Sequence, residues 1–253
     1  MTNLNTQTAF VPGRLEQMST RIAFFIAGFG IAAWAPLVPY AKARAGLDEG
    51  TLGLLLLCLG VGSILAMPMA GLLATRFGCR RVVSAGVLLI CAALPLLATV
   101  SSIPALIAAL FMFGAGLGTV DSTVNLQAVI VERASGKTMM SGFHGLFSLG
   151  GIVGAAGVSA LLGFGVSPLG ATLVVIVMLL IALAKAAPHL LPYGSESSGP
   201  AFAVPQASCC SSAGCVSSCS SPKARRSTGA RCSWHRNAGS TPLTRGWVTR
   251  RLH

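Results

Sequence analysis

The stretch GTVDSTVNLQAVIVERASGKTMMSGFHGLFSLGG, residues 118–151, places an acid, an amide and a histidine in a chain of which only 9% is charged. Asp121 and Asn125 are four residues apart, a spacing that puts both on one face of a helix. His144 follows across the loop ERASGKTMM. A carboxylate and an imidazole on adjacent helices can relay a proton or form a polar lining for a substrate. The competing role is packing, with Asp121 tying neighbouring helices together and Asn125 and His144 bonding backbone carbonyls.

The elements that must position these residues follow from composition. Hydrophobic residues make up 53% of the chain and mean hydropathy is +0.75, more than a soluble domain can cover with polar surface. Crossing a hydrocarbon core of roughly 30 Å takes about 20 apolar residues. Six such runs occur, at residues 21–40, 51–74, 82–100, 105–131, 141–164 and 169–187. Backbone polar groups in lipid must pair internally, so each run is predicted to be a helix; none alternates with the period of a barrel strand. The fold class expected is therefore an all-α bundle of six transmembrane helices. Asp121 lies well inside the fourth span, where a charge costs roughly 2.5–3.5 kcal/mol on insertion scales, so it should face the bundle interior or water.

Residues 1–20 are a polar lead without a small-residue cleavage site after the first apolar run, so that run is predicted to be a span and not a signal peptide. Arg14, Arg21, Arg76, Arg80, Arg81, Arg133, Lys137 and Lys185 fall on one side of the bundle and only Lys42 and Arg44 on the other. Lys and Arg accumulate in the cytoplasm, so both ends of the six-helix unit are expected there. Most of the 30 glycines are expected to let helices approach closely. Pro36, Pro39, Pro68 and Pro95 are expected to bend helices. Trp34, beside Pro36, is either an interfacial anchor or part of a cavity lining.

The loop GLLATRFGCRR, residues 71–81, resembles the signature loop of the major facilitator superfamily. Gly71, Arg76, Gly78, Arg80 and Arg81 fit the family pattern, whereas Thr75 stands where an acid is usual and Cys79 where the first base often is. The resemblance implies a secondary transporter of the bacterial inner membrane, built from two six-helix halves that rock around a site near the bilayer midplane. Residues 1–187 would form the amino-terminal half, with the signature loop bracing the cytoplasmic gate by charge pairing. Thr75 in place of the acid puts that pairing in question.

Other chemistry is thin. No phosphate-cradling loop, nucleophile elbow or zincin helix occurs, and GAGLG lies inside a span without the strand-turn-helix setting of dinucleotide binding. An intramembrane enzyme using Asp121 and His144 lacks a second acid, a metal set or a nucleophile. The expectation is no enzyme, no cofactor, no metal and no nucleic acid. The partners expected are the lipid bilayer and a small solute, with a proton or another ion. Oligomeric state, substrate and direction are not legible.

Residues 188–205 read as a cytoplasmic loop. Residues 206–253 hold five of the eight cysteines, eight of the eighteen Lys and Arg, and no acid, a basic composition expected to be disordered. The clustered Cys209, Cys210, Cys215 and Cys219 lack the spacing of paired metal knuckles. A basic tail can also rest on anionic lipid. Shifting the frame by one base, with G- or C-rich third positions, lets Cys219 to Gly229 spell Leu-Val-Ala-Glu-Gly-Ala-Ala-Leu-Asp-Trp between apolar flanks. This resembles a seventh span of such a transporter, so the tail is expected to be an out-of-frame product and the chain inactive alone. The rival expectation is a small six-helix membrane scaffold with a lipid-facing tail.

Overall fold

The computed structural model describes residues 13–194, all of its regular elements helical. The expected out-of-frame tail lies outside these residues. Six helical segments are long and apolar enough to cross a membrane: 14–45, 49–77, 79–99, 103–135, 140–163 and 168–189. Each contains or closely matches an apolar run of the sequence but reaches further at most ends, because caps and not hydropathy terminate helices.

The first span is interrupted. α1 (Arg14–Trp34) passes into a 3-10 turn at Ala35–Leu37 and then α2 (Val38–Ala45). Pro36 lies in the turn, where its missing N–H and its ring disrupt the α-helical ladder. Gly46, in the left-handed region at φ 63°, ends α2. α3 (Glu49–Phe77) starts at Asp48, whose Oδ1 accepts the Thr51 N–H at 2.9 Å. Gly78 alone separates it from α4 (Cys79–Thr99), and its φ of 83° makes the turn that glycine allows. Pro68 and Pro95 stay inside α3 and α4. α5 (Ile103–Ser135), α6 (Met140–Gly163) and α7 (Pro168–Ala186) complete the bundle.

The two most extensive helix pairings, α3 with α5 and α1 with α6, are built alike. On α1, a Cβ at Gly28 would overlap the Phe147 carbonyl of α6, while Cβ atoms at Gly150 and Gly154 would press on the Phe25 and Phe29 carbonyls of α1. On α3, a Cβ at Gly62 would overlap the Phe111 carbonyl of α5, and Gly114 and Gly118 meet the Leu59 and Ser63 carbonyls of α3. Each crossing thus joins one glycine to a glycine pair four residues apart, the small-residue contact expected where lipid gives helices no hydrophobic reason to associate.

Burial is uneven. In the most apolar stretch of α3 only 11% of residues are buried, and in that of α6 17%, against 56% for α4. At the loop after the third span, the Arg44 guanidinium donates to the Leu97, Ala98 and Val100 carbonyls at 2.7–3.1 Å, closing the end of α4.

Candidate functional site

Asp121 sits near the middle of α5, while the other described acids, Glu16, Asp48, Glu49 and Glu132, lie at helix ends. It is half-buried and opens on a cleft of about 220 Å³ lined by Ala27 and Ile31 of α1, Ser63 and Met67 of α3, Leu117 of α5 and Phe147 of α6. The glycine crossings flank this cleft, since Phe147 and Ser63, which line it, are also the residues whose carbonyls lie against Gly28 and Gly118. Asn125 donates through Nδ2 to the Asp121 carbonyl at 2.9 Å and to its carboxylate at 3.4 Å. The amide therefore orients Asp121 while leaving most of its accepting capacity for a ligand or proton.

His144 lies at the start of α6, exposed, with its ring edge-on to Phe24 at a centroid distance of 5.3 Å. It is near enough to Asp121 to interact electrostatically, but no hydrogen bond joins the two among the described residues. Trp34 is 6% exposed and tilted against Phe113 at 6.3 Å, packed inside the bundle and not among the residues that line the cleft. Its Nε1 has no hydrogen-bond partner. Phe113 is one helical turn from Leu117, which lines the cleft.

Among the described residues the signature loop is held by backbone contacts. Arg76, Arg80 and Arg81 are exposed and make no ion pair among the described residues; Arg76 lies over the Phe77 ring at 5.3 Å. The segment after α7 packs beneath the loop: the Arg80 N–H donates to the Leu191 carbonyl at 2.8 Å and the Cys79 N–H to the Tyr193 carbonyl at 3.3 Å. These carbonyls satisfy the otherwise unpaired first amides of α4. Gly78 is required by contact as well as by dihedral, because a Cβ there would overlap the Pro192 carbonyl. Gly71 has open space around it and belongs to the loop only by sequence. Burial pushes the Tyr193 phenol above its ordinary value, and the nearby Glu16 and Cys79 push it the same way.

Sequence reasoning missed the group that anchors this segment. Gln127, fully buried, donates through Nε2 to the Thr20 hydroxyl at 2.8 Å and accepts the Leu191 N–H on Oε1 at 3.2 Å. The Ser19 hydroxyl reaches the His189 carbonyl at 2.9 Å, and the Thr20 hydroxyl donates to the Glu16 carbonyl at 2.7 Å. The available signal was Gln127 itself, an uncharged amide six residues beyond Asp121 in an apolar helix. Nearby, one Glu132 carboxylate oxygen accepts the N–H groups of Met139 and Met140, both at 2.6 Å, and so caps α6 from the end of α5.

Comparison with known proteins gives a consistent result. The family model of the Major Facilitator Superfamily matches residues 21–229. A protein named an uncharacterized MFS-type transporter in Yersinia pestis is 54% identical over 201 residues, 79% of this chain and 52% of that one. A transporter of Sinorhizobium fredii is 34% identical over 134 residues, 53% of this chain and 36% of that one. The membrane protein MosC of Rhizobium meliloti is 33% identical over 144 residues, 56% of this chain and 35% of that one. The chain spans about half the length of the first of these relatives and about a third of the other two.

Proposed function

This multi-pass membrane chain belongs to the major facilitator superfamily, and from that premise we propose that it forms one half of a secondary transporter of a small solute, with the Asp121 cleft as its share of the solute or proton path. The observation that carries the reading is the setting of Asp121: the one described acid in mid-span, without a Lys or Arg partner, facing a cleft shared by four helices. Holding an unpaired carboxylate there is costly and is repaid by a function that charges and discharges it or pairs it with a solute. Asn125 orients it. Trp34 offers an indole donor without a partner among the described residues, and His144, one turn before the lining residue Phe147, is the candidate relay partner.

The low burial of α3 and α6, which flank the cleft, supports a second half covering them. Alternating access needs two halves, so this chain alone does not catalyse uptake. The out-of-frame reading of residues 206–253 is a separate proposal. Sequencing the gene past codon 206 tests that reading, which fails if no frame encodes further spans. We assign the protein to a bacterial inner membrane, with both ends of the six-helix unit in the cytoplasm.

The test of the site is Asp121→Asn in a gene encoding both halves. Membrane levels should stay near normal, because the isostere removes only the charge. Solute uptake, or its dependence on pH, should be lost. Full uptake with an unchanged pH profile would return Asp121 to a packing role.

A further inference from the structure

A groove of about 610 Å³ runs between α1, α6 and α7, away from the Asp121 cleft. Its walls are apolar, with Phe25 and Phe29 from α1, Val153 and Leu161 from α6 and Met178 from α7. Lys185 closes one end. On α7 the lining runs from Val174 to Lys185, eleven residues or roughly 16 Å at 1.5 Å per residue. That matches about half of a hydrocarbon core roughly 30 Å thick, one leaflet deep. Neither Lys185 nor Arg21, which precedes the lining residue Ile22 at the same end, has an acidic partner among the described residues. Gly154 brings α6 onto the Phe29 carbonyl, whereas Gly157, on the groove wall, has nothing within 4 Å of a Cβ position. The empty space is therefore built into the wall.

We propose that this groove is a binding site for one anionic phospholipid, an acyl chain lying along α7 and the headgroup phosphate on Lys185. The apolar walls select a hydrocarbon chain over a polar solute. The groove depth fits a single leaflet, and the unpaired cation at the mouth selects an anionic headgroup over a zwitterionic one. An apolar helix packed into the groove would bury Lys185 without an acid, so such a segment is the poorer occupant. The inference is independent of the transport reading, since none of its groove residues lines the Asp121 cleft.

Native mass spectrometry of the full chain, released from nanodiscs of equal parts phosphatidylglycerol and phosphatidylcholine, tests it. One retained lipid is expected, with phosphatidylglycerol favoured roughly fivefold, the worth of one lysine at an anionic surface. Lys185→Gln should abolish the preference and Lys185→Arg keep it. Gly157→Leu should cut retention of both lipids, with circular dichroism confirming the helical fold. Equal retention of the two lipids by the wild type, an unchanged preference in Lys185→Gln, undiminished retention in folded Gly157→Leu, or no retained lipid at all would each overturn the proposal.

Discussion

Gly28 of α1 lies directly against the Phe147 carbonyl of α6, so closely that no other residue fits at position 28. Phe147 and Ala27, the neighbour of Gly28, both line the Asp121 cleft, so this contact sets the cleft's width. Gly28→Ala forces the helices apart and should cost about 1–3 kcal/mol, the range for overpacking a close contact. Gly53→Ala, on α3 with open space around its Cβ position, should instead be neutral or stabilising by up to about 1 kcal/mol. Melting in detergent compares the two; equal loss would show that the crossing is not tight.

Gln127→Leu keeps the volume but strands the Leu191 N–H, while the Thr20 hydroxyl loses one donor and keeps its bond to the Glu16 carbonyl. Leaving a buried amide unsatisfied costs about 1–3 kcal/mol, so the melting temperature should fall. Hydrogen exchange should speed at Leu191, and at Arg80 if the segment lifts off the signature loop. Protection unchanged at both sites would mean that Gln127 does not anchor the segment.

Asp48 gives a pH dependence. Its carboxyl is held below the ordinary aspartate value of 3.8, chiefly by the Thr51 N–H and then by the Thr51 hydroxyl. A depressed folded value stabilises the helix start above the ordinary value and loses that contribution as pH falls through the folded one. Exchange at Thr51 should therefore accelerate only at pH below about 3.8, and Asp48→Ala should show the fast rate at every pH. Acid-independent exchange in the wild type would rule out the cap.

Orientation is open to a direct reporter. Fusions after Gly46 should behave as external and fusions after Gly78 or Gly136 as cytoplasmic, as the basic residues require. The reverse pattern would invert every inside and outside assignment made for this chain.

The helices were legible because hydropathy and chain length leave few alternatives, and Asp121 was legible because a mid-span acid is rare. What each site residue touches was not. Trp34 beside a proline fits an interface or a cavity equally well, and its packing against the Phe113 ring is not readable from the sequence. The arginines of the signature loop drew attention as charges, yet the loop is held through the amides of Cys79 and Arg80, which every residue type carries. Ser19, Thr20 and Gln127 looked ordinary because their partners are distant in sequence, and in two cases are backbone atoms.

That distance has a consequence for biogenesis. Ser19 is made early, but its acceptor on His189 comes 170 residues later, and Gln127 waits for Leu191 another 64 residues on. At ~5–20 residues per second the ribosome takes roughly 10–35 s to supply the missing carbonyl. Until then α1 and α5 must hold their polar groups ready beside a membrane. These bonds therefore close only once the sixth span is in place, so the last helix completes the packing of the first.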